Sequence, residues 1–193
     1  MTKIGSHDTM TYLTPQCWLL RPFKFMAKCQ RVSIEEQYEK YGVKLFDIRV
    51  KWNTKTQNWD FAHGAMRFKG KTPDEVFEYL NALNDNIHVR LILEYNKPPK
   101  DAETISNMFS TQASKWIEEY KNITFGGFNR KYDWKQLLNA KDFTVNMEQA
   151  TASTTGKIWD DWFPWLYAYL YNKDIIRIGS DKEWLLIDFV DIR

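Results

Sequence analysis

Residues 43–52 of this chain read VKLFDIRVKW, a stretch in which apolar side chains largely alternate with charged ones. This period of two, with β-branched and aromatic residues at the apolar positions, predicts a β-strand. Residues two apart on a strand point to the same face, so Asp47 and Arg49 project together. The predicted strand therefore presents a carboxylate and a guanidinium side by side.

The segments around this strand alternate between helical and extended patterns. Ser33 and Glu36 form a capping box for a helix that ends near Gly42, and Thr72 and Glu75 repeat the same signal. Extended runs are predicted at 3–7, 43–52, 59–65, 89–95, 123–128, 143–147 and 184–191, and helices at about 33–42, 72–83, 101–120 and 159–171. Strands and helices in this order predict the α/β class. We expect a single domain, residues 1–193, forming a compact TIM-type (β/α) barrel that is either complete or incomplete.

The composition excludes several classes of protein. Hydrophobic residues make up 44% and charged residues 27% of the chain, which excludes a disordered protein. Lys and Arg number 27 against 25 Asp and Glu, a balance that argues against a dedicated nucleic-acid binder. The apolar runs are far shorter than the ~20 residues of a membrane span, and no signal peptide precedes the first motif, so the location stays open between secreted and cytoplasmic. Cys17 and Cys29 lack C-x-x-C spacing, which excludes a cysteine-rich zinc site and leaves their pairing open.

Two histidines lie in polar segments at predicted strand ends. His7 lies within GSHDT (5–9), and His63 lies within FAHG (61–64). In a parallel barrel, such ends form the mouth where active sites are built. One imidazole can take a proton from an attacking hydroxyl and the other can protonate a leaving oxygen, while Arg49 can neutralise charge on a phosphoryl group. The pattern indicates cleavage of a phosphodiester.

Three motifs in this order, IGSHDT (4–9), LFDIR (45–49) and AHG (62–64), resemble the X-domain of bacterial phosphatidylinositol-specific phospholipases C. The resemblance extends over about residues 3–66 in sequence and over the order of elements thereafter. It implies a phospholipase-C-like phosphodiesterase, either a lyase or a hydrolase, with a role in lipid metabolism.

The resemblance also implies a role for each matching residue. His7 would be the general base and His63 the general acid. Asp8 would lie beside the leaving oxygen, and Asp47 would hold His63 in its productive tautomer. Arg49 would stabilise the charge on the phosphate.

The family also uses a carboxylate near the last strand to orient the first histidine. Asp188 is the candidate for this role, and Asp191 is the alternative. The headgroup subsite of the family uses basic residues, whereas the corresponding positions here are Glu94 and, at best, Lys141. We take Glu94 and Lys141 as the candidate substrate-binding residues and leave recognition of inositol open.

Related enzymes that bind a divalent ion do so with several acidic residues. Here Arg49 puts a fixed cation at the corresponding place, so we expect neither a metal nor another cofactor. Alternatives remain for individual residues: Asp47 and Arg49 could form a buried ion pair that closes the barrel, and Asp188 could be purely structural. The aromatic residues of 159–169 have helical spacing and are expected in the core, with a membrane-interface role as the alternative.

The sequence as a whole favours a metal-independent phosphodiesterase that forms a cyclic phosphate. The expected partner is a phosphodiester, either a phospholipid headgroup or a soluble compound; peripheral membrane contact is possible and no nucleic acid is expected. One alternative is a hydrolase of another phosphodiester, such as a glycerophosphodiester or a nucleotide-derived one. The other is a barrel without turnover that binds phosphate or serves a structural role.

Overall fold

Parallel strands form the centre of the fold in the computed structural model, which describes residues 2–95, 99–126 and 146–193. The strands are β1 (Lys3–Ser6), β2 (Thr14–Pro15), β3 (Leu45–Asn53), β4 (Asn58–His63), β5 (Met66–Lys69), β6 (Ile87–Leu93), β7 (Ile123–Gly126), β8 (Met147–Ala150) and β9 (Trp184–Ile187). The α-helices are α1 (Lys24–Ala27), α2 (Ile34–Glu39), α3 (Pro73–Ala82), α4 (Ala102–Glu119), α5 (Ile158–Trp162) and α6 (Pro164–Ile178). Short 3₁₀ helices cover Thr9–Tyr12, Trp18–Phe23 and Ala152–Thr154.

The parallel strands pair in the order β8–β9–β1–β3–β6–β7. Among the described residues, β7 and β8 do not pair with each other, so the barrel is open at that edge. This confirms the expected α/β barrel in its incomplete form. β3 continues beyond its parallel partners into an antiparallel hairpin with β4, which pairs in turn with β5. The hairpin brings His63, at the end of β4, back beside β3.

The core between the sheet and the helices is dominated by large aromatic and aliphatic side chains. The fully buried ring of Phe77 on α3 meets Trp116 and Phe125 edge to face, with centroids 5.1 and 5.2 Å apart. α3 begins where the sequence predicts, because Thr72 and Glu75 make both hydrogen bonds of the capping box.

The aromatic segment at 159–169 lies on the surface, so the expectation that it forms core was wrong. The segment is split in two because Pro164 has no N–H and begins α6. α6 buries Tyr167, Ala168 and Asn172 on its inner face. Among the described residues, no helix has both the length and the hydropathy needed to cross a bilayer. The exposed aromatic side chains, between 39% and 69% accessible, are Trp159, Trp162, Phe163, Trp165 and Tyr169.

Asn172 ties α6 to the chain that follows β9. Its Nδ2 donates to the carbonyl oxygens of Asp188 at 2.7 Å, Ile192 at 3.0 Å and Phe189 at 3.3 Å. Phe189 has a φ of 48°, a left-handed conformation that is unfavourable for a bulky side chain. Its N–H donates to the carbonyl of Cys29 at 2.6 Å. These hydrogen bonds connect the turn beside Asp188 to α6 and to Cys29.

Candidate active site

His7 directly follows β1, and its side chain is buried. Its Nδ1 lies 2.7 Å from Oδ1 of Asp188, the residue that follows β9. Because a carboxylate only accepts hydrogen bonds, Nδ1 carries a proton and Nε2 carries the lone pair. Oδ2 of Asp188 accepts from the N–H of Ala152 at 3.0 Å, which fixes the carboxylate. The structure thus brings Asp188 to His7, whereas the alternative, Asp191, pairs with Arg31.

Arg49 on β3 is the cation beside this imidazole. Its Nε lies 2.8 Å from Oδ1 of Asp8, and its Nη2 lies 3.0 Å from Oδ2 of Asp47. Nη2 also lies 2.8 Å from Nε2 of His7. Since a guanidinium has donors and no acceptor, it donates to the Nε2 lone pair. The charge of Arg49 therefore lies next to the atom that would accept a proton.

Asp8 lies between the two histidines that the sequence analysis singled out. Its backbone is in the left-handed region, with φ 44° and ψ 51°, which Asp tolerates better than most residues. Its Oδ2 lies 3.4 Å from Nε2 of His7 and 3.4 Å from Nε2 of His63. One carboxylate therefore bridges two imidazoles that are distant in the sequence.

His63 is oriented by contacts other than the expected one. Its Nδ1 lies 2.9 Å from the carbonyl oxygen of Ala27, to which it donates, and its Nε2 faces Asp8. Asp47 instead contacts Arg49 and, at 3.3 Å, Nη1 of Arg90. The expected role of Asp47 in holding His63 is therefore corrected: this carboxylate anchors the guanidinium, and Ala27 and Asp8 orient the imidazole.

Glu94 lies at the rim of this cluster. Its Oε1 accepts from the N–H of Gly64 at 3.0 Å, and its Oε2 lies 3.5 Å from Nη1 of Arg49. It therefore holds the residue after His63 close to Arg49. The other candidate substrate-binding residue, Lys141, lies outside the described residues.

The two histidines open into a cavity of about 240 Å³. This is slightly below the ~300 Å³ at which pockets for drug-sized ligands begin. The cavity is lined by His7, Met26, Cys29, His63, Ala152, Ser153, Asp161, Pro164 and Asp188.

Burial and charge act in opposite directions on the ionisable groups of the site. Burial alone would lower the pKa of His7, but the carboxylates of Asp8 and Asp188 outweigh it and raise this pKa above 6.5. Burial raises the pKa of Asp8, and the charges of Arg49 and His63 offset only part of that effect. For Asp47 the balance is reversed, because two guanidiniums hold its pKa well below the ordinary range despite burial. Of these two carboxylates, Asp8 therefore binds a proton more readily than Asp47 does.

Cys29 is a cavity residue that no sequence pattern indicated. It is a free, buried thiol whose Sγ lies 3.9 Å from Oδ2 of Asp8. Burial raises its pKa well above the usual value, so it stays a thiol rather than a nucleophilic thiolate. Its sulfur and the side chains of His7 and Asp8 lie close enough together to hold a metal ion. Arg49 already donates to His7 and is ion-paired with Asp8, so the cluster is poorly suited to a second cation.

Gln149 on β8 is a second polar group that sequence analysis missed. Its Nε2 lies 3.2 Å from Nε2 of His7 and 3.1 Å from Oγ1 of Thr151. The signal was absent because β8 has no motif, and only its pairing with β9 places it at the site.

Comparison with known proteins reveals a similar structure but no similar sequence. Neither a scan of protein-family models nor a search of curated proteins found a match. The structure is similar to a phosphatidylinositol-specific phospholipase C from Listeria monocytogenes, with a TM-score of 0.64 and 16% identity, covering 98% of this chain and 88% of that chain. At this identity the likeness shows the fold, and it confirms the fold that the three motifs predicted.

Proposed function

We propose that this chain is a metal-independent phosphodiesterase of the phospholipase C type, with His7 as general base and His63 as general acid. The observation that carries the proposal is the bridge through Asp8, whose Oδ2 lies 3.4 Å from Nε2 of each histidine, with Arg49 alongside. Two imidazoles and a fixed cation are the groups that displacement at phosphorus requires. The fold shared with the Listeria enzyme supports the same class of reaction.

The first step would be attack by a substrate hydroxyl next to the phosphate. The hydroxyl gives its proton to Nε2 of His7 while its oxygen bonds to phosphorus. Arg49 neutralises the charge that develops on the non-bridging oxygens. The bond from phosphorus to the leaving oxygen then breaks, and that oxygen takes a proton from Nε2 of His63. The products are a cyclic phosphate and an alcohol, and water can reopen the ring with the two histidines in reversed roles.

The substrate class follows from this chemistry, since cyclisation requires a hydroxyl beside the phosphate. Phosphatidylinositol, named for the Listeria enzyme, is the first compound to test. Glu94 in place of a basic residue keeps a second candidate open, a soluble diester such as a glycerophosphodiester or a nucleotide-derived one. A barrel that binds phosphate without turnover is the third.

We further propose that the site meets its substrate at a membrane surface. The supporting observation is a group of exposed apolar side chains, here named the aromatic collar. Phe25 of α1 and Phe163, which precedes α6, stack with centroids 5.8 Å apart and join its two halves. Met26 and Pro164, next to these rings, line the cavity. The collar consists of Trp18, Leu19, Phe23, Phe25, Ile158, Trp159, Trp162, Phe163, Trp165 and Leu166.

The charge near the collar selects the kind of membrane. Residues 16–31 contain Arg21, Lys24, Lys28 and Arg31 and no acidic residue; Arg31 is paired with Asp191, and α5 contributes Asp160 and Asp161. Aromatic side chains favour the interfacial layer of a bilayer, and each basic residue near an anionic surface adds about 1 kcal/mol. An exposed patch of this kind therefore fits a bilayer with anionic lipid.

Phosphorus NMR tests the proposed reaction. The purified protein is incubated, with excess chelator, with phosphatidylinositol, glycerophosphoinositol and other phosphodiesters, beside His7→Ala. We expect a cyclic phosphate from at least one compound and none from the variant. Turnover that chelator abolishes would contradict the metal-independent mechanism. No turnover by the wild type, combined with phosphate-analogue binding that depends on Arg49, would favour the binding module.

Vesicle flotation tests the membrane contact independently of catalysis. We expect the protein to float with vesicles that contain anionic phospholipid and much less with phosphatidylcholine alone. Trp159→Ser should reduce partitioning about tenfold, because a fully buried aromatic contributes on the order of 1.5 kcal/mol or more. The control is Ile178→Ser, which removes a side chain that is 79% exposed at the far end of α6. Equal partitioning of both variants and the wild type would refute the proposal.

A further inference from the structure

Gln149 holds a polar group against the base nitrogen of His7, and the mechanism above does not use it. The amide Nε2 lies 3.2 Å from Nε2 of His7. It also donates at 3.1 Å to Oγ1 of Thr151, which is fully buried. Oγ1 of Thr151 lies in turn 3.0 Å from Oγ of Ser153, which lines the cavity. Hydrogen bonds thus fix the amide beside His7.

Two donors converge on the same lone pair. Nη2 of Arg49 lies 2.8 Å from Nε2 of His7, and the amide of Gln149 approaches the same atom. An imidazole nitrogen has one lone pair, so a substrate hydroxyl that donates to Nε2 takes the place of both donors. Arg49 is then free to contact the phosphate, and the amide N–H is left next to the hydroxyl oxygen, which can accept it.

We propose that Gln149 positions the attacking hydroxyl of the substrate, with Thr151 and Ser153 fixing its amide. The proposal rests on the proposed function and adds a positioning residue for its first step. The amide donates to the hydroxyl oxygen while that oxygen gives its proton to His7.

Loss of the amide should also change the titration of His7. A donor to the Nε2 lone pair favours the neutral imidazole, so removing Gln149 raises the pKa of His7. The base must be neutral to act, so the acid limb of the pH profile of kcat/KM moves to higher pH. The other ionisable groups around His7 are unchanged by the substitution: Asp8, Cys29, Asp47, Arg49, His63 and Asp188.

The experiment measures kcat and KM across pH for Gln149→Ala and Thr151→Val, using the phosphodiester that the wild type cleaves. We expect kcat/KM of Gln149→Ala to fall about tenfold to a hundredfold, which is the range for a hydrogen bond to a group that develops charge. The acid limb should move to higher pH, and Thr151→Val should change both quantities in the same direction by less. Glu148→Ala is the control. Glu148 lies on the outer side of the same strand as Gln149, where its carboxylate accepts a hydrogen bond from Oγ of Ser180. The kcat/KM of this variant should stay within about twofold of the wild-type value.

Each result of this experiment either supports or overturns the proposed role of Gln149. A loss of activity in Gln149→Ala without movement of the acid limb would indicate a structural role and overturn the proposal. Unchanged activity in Gln149→Ala, while His7→Ala is inactive, would overturn it and leave the proposed function intact. No turnover by the wild type on the phosphodiester panel would overturn both.

Discussion

Asp188→Asn changes one atom of the group that orients His7. In the wild type, Oδ1 accepts from Nδ1 of His7 at 2.7 Å and Oδ2 accepts from the N–H of Ala152 at 3.0 Å. An asparagine has only one acceptor oxygen. If that oxygen faces Ala152, the amide N–H₂ faces His7 and forces its Nδ1 to accept, so the proton moves to Nε2 and the base is lost.

The opposite orientation of the amide has its own cost. It restores the contact with His7 but places two donors against each other at Ala152, and an unsatisfied buried N–H costs about 1–3 kcal/mol. The wrong tautomer has a cost as well, because its Nε2–H faces the donor Nη2 of Arg49 at 2.8 Å, so each orientation of the amide leaves two donors opposed. The variant also loses the negative charge that stabilises the imidazolium during reaction. The combined loss in kcat is expected to be ~10²–10⁴, the scale of a disabled general base.

The assay is kcat/KM against pH, together with nitrogen-15 NMR of the imidazole to report the tautomer. Because Asp188 raises the pKa of His7, its replacement should lower that pKa and move the acid limb to lower pH. The control is Asp191→Asn, three residues further on, where the carboxylate pairs with Arg31 at the surface. Activity of Asp188→Asn within about threefold of the wild type, with a folded spectrum, would refute the role of Asp188 in orienting His7.

Three further predictions concern other groups of the molecule. His7→Ala and His63→Ala should each lower the rate ~10²–10⁴-fold, with the wild type active in excess chelator, and near-full activity of either variant would contradict its role. Arg49→Lys should lose ~10²-fold or more in kcat, because an ammonium cannot reproduce the planar fork that contacts two carboxylates and His7. Kinetics at saturating substrate would detect this loss. An effect confined to KM would argue against charge stabilisation by Arg49. Thr72→Ala should destabilise the protein by about 1 kcal/mol in urea unfolding because it removes the cap of α3, and an unchanged midpoint would show that the cap does not contribute.

The part of the site that sequence reasoning could predict lies in short local patterns. His7 and His63 lie at strand ends, and Asp47 and Arg49 lie on one face of a strand. The alternating pattern of a strand predicts both kinds of position. The contacts of Asp47 could not be read in the same way. They depend on Arg90, which β6 places beside β3, and no spacing within one segment reports that pairing.

Sequence patterns also could not indicate that Gln149 and Cys29 belong to the site. Each comes from a segment without a motif, and each reaches the site only because distant parts of the chain pack together. The prediction that the aromatic residues of 159–169 lie in the core was wrong for a different reason. Helical spacing shows that side chains share a face, but it does not say whether that face meets the sheet or the solvent. In α6 the inner face is made by Tyr167, Ala168 and Asn172 instead.

The three hydrogen bonds from Asn172 have a mechanical consequence for the proposed membrane contact. They join α6, which carries Trp165 and Leu166 of the aromatic collar, to the residues that follow β9, including the one that orients His7. α6 cannot tilt or slide alone without breaking buried hydrogen bonds at that turn. The depth to which the collar enters a bilayer would therefore determine the distance between His7, the proposed base, and the lipid phosphates.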